Sequence, residues 1–442
     1  MKMKKQEVMM DNNYDVDDTS SSSSDCSIMM SNKVIENDNK KGLKEYSVIY
    51  TSHALNSMSE PFMCVMKDLN SMLKSTYNGD RVAIIPGSGT YGMEAVAREF
   101  ASDKHVMVLR NGYFSYRWTE IFEIGGENHS IPKSHTVLKA VPFAVNNANH
   151  NHKIQYAPHP IEKVVSKIYK ERPAVFFAPH VETSTGIILP DDYIRNIAKA
   201  VHDIGGIFVL DCIASGTIWV DMKVLGIDVL ISAPQKGWSG PACAALVIMS
   251  QTAAQLMEVQ HQNQNQKHKP AVHQSFCINL YKWTNIMDKY LQTGGFGYHT
   301  TMPTDALRDF HKMANQAKHF GMKDLKHNQS ILGLKTRRIF QQKGLISVAA
   351  PGFQAPGVLV YYSPDGASNA QVFDYFKAKG LQIAAGVQWK IDEPEGLRTF
   401  RIGLFGIDKL CNITKTIHIL DHALNLVLKE CKHKFHQQTS KL

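Results

Sequence analysis

"GIFVLDCIASGTIWVDMKVLGIDVLISAPQKGWSGPACAALVIM", Gly206 to Met249, contains three apolar runs: "IFVLD", "VLIS" and "AALVIM". Each is short and rich in β-branched or aromatic residues. Gly, Pro and Asp punctuate them, which predicts strands buried on both faces. Asp211 ends the first run, and Lys236 follows the second after "APQ". A carboxylate and an amine therefore reach the same end of one sheet from two strands. In open parallel sheets ligands bind beyond that end.

Outward from this stretch the pattern repeats. "DDYIRNIAKAVHDIGG" places Ile194, Ile197, Ala198, Val201 and Ile204 at helical spacing. Asp191 or Asp192 is expected to cap its start and Gly205 to end it. Further strands are expected at "RVAII", "HVMVL" and "AVFFA". Strands alternating with helices indicate an α/β fold with a mostly parallel, doubly covered sheet. After Thr301 a long helical stretch, "DALRDFHKMANQAKHF", leads to strands at "VLVYY" and "TFRIGLF". Helical segments lie around "AQVFDYFKAKG" and "ITKTIHILDHALNLVL". The expected division is a large domain over 45–320, a smaller α/β domain over 321–432 and a tail over 433–442. Residues 1–44 are polar and Ser-rich and are expected to be disordered. Residues 258–274 read as an exposed polar insertion, and His150 and His152 as solvated loop residues rather than metal ligands.

The chain has 442 residues, 43% hydrophobic and 20% charged, with a formal net charge of +9. It is long enough for two cored domains. No basic run concentrates the charge, so no nucleic-acid partner is expected. No apolar stretch approaches a membrane span, and no secretory leader is evident. The 7 cysteines lack CxxC spacing, which argues against a disulfide framework or a zinc site; no metal is expected. Ser440-Lys441-Leu442 reads as a peroxisomal address recognised by an import receptor.

"IIPGSGTYGMEA", Ile84 to Ala95, carries Gly87, Gly89 and Gly92 between a strand and a helix. A nicotinamide cofactor wants an acid at the end of the next strand, but Arg110 follows "HVMVL". A single phosphate at the helix start is the alternative. Gly87 and Gly89 admit close backbone approach, Ser88 and Thr90 add hydroxyls, and the first-turn amides face the anion. A phosphate loop beside Asp211 and Lys236 is the set that pyridoxal phosphate needs: an amine for its aldehyde and an acid for its ring nitrogen.

"PGSGTYGMEA", "ETSTG", "LDCIAS", "GIDVLISAPQK", "GYHTTMP" and "LRTFRIGLFG" occur in an order that resembles the class V pyridoxal-phosphate aminotransferases. The nearest group looks like the alanine–glyoxylate and serine–pyruvate aminotransferases. The likeness spans roughly Tyr46 to Leu428. It implies a fold-type I transferase with a seven-stranded, mostly parallel sheet and a smaller C-terminal domain. By the same likeness Lys236 bonds the cofactor aldehyde and shuttles the substrate proton, and Asp211 pairs with the ring nitrogen. Phe114 stacks on the ring, Ile213 presses on its other face and Thr183 bonds the ring hydroxyl. Ser88, Gly89, Thr90 and Gln235 hold the phosphate. Tyr298 and Thr301 complete that site in a neighbouring subunit, which implies a homodimer. Arg401 takes the substrate carboxylate. The implied reaction is a ping-pong transfer from alanine or serine to glyoxylate or pyruvate.

The sequence departs from the family near its start, where "VIYTSHALNSMSEPF" lacks a Gly-Pro-rich loop. Ser52, His53 and Asn56 are candidate substrate-pocket residues there. Thr90-Tyr91 replaces a histidine-containing pair, and Trp238 adds bulk after the lysine. One rival is a lyase or desulfurase on the same fold, which needs a mobile cysteine; none lies between Cys277 and Cys411, and Cys212 is expected to face away from Asp211. Another is an NADP-linked oxidoreductase, which leaves Lys236 and Asp211 unexplained.

Overall fold

The computed structural model describes residues 44–126, 130–143, 153–267 and 275–439. The described residues fall within one compact unit, 44–442. The expectations for the N-terminal extension, His150, His152, residues 268–274 and the terminal Ser440-Lys441-Leu442 lie outside the described residues.

All six apolar runs of the large-domain region form strands. In chain order the strands are β1 (Arg81–Pro86), β2 (His105–Arg110), β3 (Ser134–Lys139), β4 (Val141–Pro142), β5 (Tyr156–Ala157), β6 (Val175–Pro179), β7 (Ile207–Asp211), β8 (Val229–Ser232), β9 (Ala244–Met249), β10 (Val358–Tyr362), β11 (Ala384–Ala385) and β12 (Thr399–Gly403). A 7-stranded sheet runs β1-β9-β8-β7-β6-β2-β3. It is the fold-type I sheet, parallel except where β9 pairs antiparallel with both β1 and β8. A 3-stranded sheet, β10-β12-β11, lies in the C-terminal region.

β6, β7, β8 and β9 are buried at every position, as their unbroken apolar text demands. Phe176, Phe177 and Phe208 are fully buried in this core. Each such side chain contributes about 1.5–3 kcal/mol. The helix after β1, Gly89–Phe100, buries Met93, Val96, Ala97 and Phe100 against the sheet, as its periodicity predicts. A second cluster joins Leu325, Leu332 and Phe340 to Leu359, Phe400 and Leu424. The helices Thr304–Phe320 and Met322–Gln342 are separated by Gly321, at φ 107.

Two local expectations need correction, and one strand was not expected. Helix Asp191–Asp203 is capped by Pro190, with no side-chain cap bond. Asp191 and Asp192 sit inside its first turn, where they favour the positive end of the helix dipole. Residues 258–267 of the expected 258–274 insertion continue the helix Gln251–Lys267. Glu258 pairs with Arg81 at 2.6 Å, and buried His261 meets Glu99 at 3.1 Å. Ala253, Ala254 and Met257 also pack that helix on the core, but in a largely polar text, so periodicity did not mark it. β3, "SHTVLK", is an edge strand with only Leu138 buried, so its text carries no apolar run to mark it.

Candidate active site

β7 lies between β6 and β8, with Asp211 opposite Pro179 on one side and Ile231 on the other. Two segments leave the same sheet end: Cys212–Ser215 after β7, and the turn carrying Gln235 and Lys236 after β8. Between them and the start of helix Gly89–Phe100 is a cavity of about 210 Å³. Ser88, Gly89, Thr90, Phe114, Thr183, Asp211, Ile213, Gln235 and Lys236 all line it. Nine of the expected site residues, drawn from five separate stretches, thus meet at one place.

The loop Gly87–Thr90 has the geometry its glycines imply. Gly87 takes φ 126, a conformation L side chains rarely adopt. At Gly89 a Cβ would stand 2.6 Å from Ile213 Cδ1, so any larger residue would have to push the Ile213 side chain aside. Ser88 is the N-cap, yet its side chain makes no cap bond. The Tyr91 amide turns back to the Ser88 carbonyl at 2.9 Å, which leaves the Gly89 and Thr90 amides for an external acceptor.

The electrostatics follow from burial. Asp211 is 7% exposed. Desolvation pushes its pKa up to about 6, against the opposing pull of the Ile213 amide, which donates to Oδ1 at 2.9 Å, and of Lys236. Burial likewise lowers the Lys236 amine, while Asp211 and Glu182 act the other way. Lys236 Nζ lies 5.9 Å from the Phe114 ring centroid. Beneath Asp211, the His180 backbone amide donates to the Asp211 carbonyl at 2.8 Å. The His180 ring meets Ser215 Oγ at 2.7 Å; burial drops its pKa to about 3 and keeps it neutral.

Glu182 escaped the sequence reading. Its side chain is fully buried and accepts from the Phe114 and Ser115 amides, the Ser115 hydroxyl, and the Ser184 amide and hydroxyl. It clamps the start of helix Tyr113–Glu123, which carries Phe114, to the loop that carries Thr183. Its one signal was an acid inside the otherwise neutral "ETSTG". Arg117, on the same helix, also lines the cavity and was likewise missed.

The remaining expected residues lie outside the cavity lining. Arg401, on β12, places its Cζ 5.8 Å from the Phe114 ring centroid, and its Nε donates to the Ala385 carbonyl at 2.9 Å. Tyr298 and Thr301 are exposed and lie within 3.4 Å of each other through their hydroxyls. Asn56 is bound to Glu45, and Ser52 and His53 are exposed. Trp238 turns away from the site into an aromatic cluster with Tyr77, Trp219 and Phe310. Cys212 packs in the core beneath the sheet end.

The class this fold and site define is borne out by comparison with known proteins. The family described as "Aminotransferase class-V" matches residues 135–357, half of the chain. The chain belongs to the class V aminotransferases. It is 24% identical over 332 residues to a 2-aminoethylphosphonate–pyruvate transaminase of Phocaeicola vulgatus, covering 73% of this chain and 78% of that one. It is 25% identical over 280 residues to an alanine–glyoxylate aminotransferase of Callithrix jacchus, covering 62% of each. In fold it resembles the ureidoglycine–glyoxylate aminotransferase of Bacillus subtilis, with a TM-score of 0.68, 20% identity and coverage of 86% and 88%. The protein is accordingly a pyridoxal-phosphate-dependent enzyme that transfers amino groups to oxo acids.

The cavity's donor set suits that cofactor. It offers a buried acid, a buried amine, an aromatic face, an aliphatic face and uncapped helix amides. The buried Oε1 of Gln235 has no partner among the described residues, as befits a side chain set against a polar ligand. Among the described residues no helix is long and apolar enough to cross a membrane, and no group of three or more His, Cys, Asp or Glu is placed to hold a metal.

Proposed function

We propose that this enzyme moves the amino group of a small amino acid, alanine or serine, to glyoxylate or pyruvate in a ping-pong cycle. The observation that carries the reading is Asp211 and Lys236 lining one 210 Å³ cavity between Phe114 and Ile213. When bound, the cofactor supplies an electron sink for the substrate's α-carbon. Asp211 holds the proton on the ring nitrogen by a charge-assisted hydrogen bond. Lys236 takes the α-proton; desolvation favours its neutral, basic form. Phe114 and Ile213 confine the ring, and Thr183 orients it through its hydroxyl. Ser88, Gly89, Thr90 and Gln235 take the phosphate. Arg401 takes the substrate carboxylate, for which a planar guanidinium is suited.

Tyr298 and Thr301 stand exposed in the single chain, which supports their reaching a second copy's phosphate in a homodimer. The large domain over 45–320 and small domain over 321–432 belong to the same reading. Ser440-Lys441-Leu442 supports delivery to the peroxisome by its import receptor.

A half-reaction panel tests the substrate assignment. The loaded enzyme is mixed with single donors, and its conversion to the amine form is followed by absorbance. Alanine and serine should convert it fastest, and glyoxylate or pyruvate should restore it. 2-Aminoethylphosphonate belongs in the panel because a relative carries that activity in its name. Faster conversion by that compound than by either amino acid would overturn the donor assignment.

A further inference from the structure

The cavity presents an unbalanced charge. Asp211 is its one lining carboxylate and Lys236 and Arg117 are its two lining cations. In the proposed reading Asp211 answers the ring nitrogen, and Lys236 is occupied at the aldehyde end. A phosphate ester brings a further −1.5 to −2 charges. The donors assigned to it, Ser88, Gly89, Thr90 and Gln235, are all neutral. A helix start supplies only partial charge.

Arg117 is placed to supply the rest. It sits on helix Tyr113–Glu123 with its Cζ 5.3 Å from the Phe114 ring centroid. Its Nη1 donates to Thr90 Oγ1 at 2.9 Å. Among the described residues it pairs with no carboxylate, and Thr90 is its only hydrogen-bond partner. A guanidinium has five N–H donors, so most remain available. Thr90 Oγ1 accepts from Arg117 and keeps its own proton to donate. Accepting from a cation polarises that hydroxyl and strengthens the bond it gives to an anion.

We propose that Arg117 is the counter-cation of the cofactor phosphate, acting directly and through the Thr90 hydroxyl. The inference rests on the assignment of Ser88–Thr90 as the phosphate loop. It makes the helix that carries the ring-stacking Phe114 also the source of the positive charge at the phosphate end. Glu182, clamping the start of that helix, then sets both at once.

The test compares two ligands that differ only in the phosphate. Dissociation constants for pyridoxal phosphate and pyridoxal are measured by equilibrium dialysis on the full chain, R117Q and R117K. The unaltered chain should prefer pyridoxal phosphate strongly. R117Q should lose about 10- to 100-fold in affinity for it, the scale of a charged hydrogen bond. Its affinity for pyridoxal should change less than about threefold on the same scale. R117K keeps the charge and the aliphatic stem and should retain part of the preference. Equal losses for both ligands in R117Q and R117K would make Arg117 a packing residue and overturn the proposal, as would no loss in either variant. An unaltered chain with no preference for the phosphorylated ligand would instead overturn the phosphate-loop assignment, and the inference with it.

Discussion

Asp211→Asn should make the cofactor-free protein more stable at neutral pH while removing its activity. Asp211 is 7% exposed, and burial raises its pKa from 3.8 to about 6. The folded protein therefore holds this proton to higher pH than the unfolded chain does. With respect to this group, stability is greatest below pH 3.8, falls as pH rises toward about 6, and is flat above. At 1.36 kcal/mol per pKa unit, the ionised carboxylate costs the cofactor-free fold about 3 kcal/mol at pH 7.5. Asparagine keeps the shape and can still accept from the Ile213 amide, so it avoids that cost. The net shift already includes the attraction of Lys236, so the gain stays at about 3 kcal/mol. Urea unfolding of both cofactor-free proteins at pH 4 and pH 7.5 reads this directly. The variant's advantage should be present at pH 7.5 and small at pH 4. Its turnover with cofactor should fall by several orders of magnitude. A variant less stable than the parent at pH 7.5, or one with near-normal turnover, would refute the reasoning.

Glu182→Ala strands the buried amides of Phe114, Ser115 and Ser184, and should cost about 3–5 kcal/mol in denaturant unfolding. It should also weaken cofactor binding by freeing the Phe114 helix. Arg401→Ala should raise KM for carboxylate donors about 10- to 100-fold, the worth of a charged hydrogen bond, while cofactor absorbance stays normal. Steady-state kinetics with alanine and with a decarboxylated amine separate the two effects, since only the acid loses affinity. Gly89→Ala brings a Cβ within 2.6 Å of Ile213 Cδ1. Displacing the Ile213 side chain from the cavity wall should lower cofactor affinity, measurable by dialysis, with the global unfolding midpoint little changed.

The central sheet was legible because its strands are buried throughout and so spell unbroken apolar runs. Asp211 and Lys236 were legible because strand ends are where such sheets bind ligands. Long-range contacts were not. The Phe114 amide meets Glu182 across 68 positions of sequence, and Arg117 meets Thr90 across 27. No local period records either contact. The edge strand β3 buries only Leu138, and the helix Gln251–Lys267 packs on the core through Ala253, Ala254 and Met257, so neither shows a long apolar run or stripe in its text. Arg401 reads as an ordinary strand residue from its local text, and only the family resemblance singled it out; the fold places it near the Phe114 ring. The motif "GYHTTMP" marked Tyr298 and Thr301, whose proposed role depends on a second copy of the chain.

The account depends on one vitamin B6 ring held between Asp211 and the Lys236 amine. Borohydride reduction of the loaded enzyme, followed by peptide mass spectrometry, tests this most directly. The account predicts a single pyridoxyl-phosphate adduct on Lys236 and loss of the visible absorbance. An adduct on another lysine, or none at all, would contradict it.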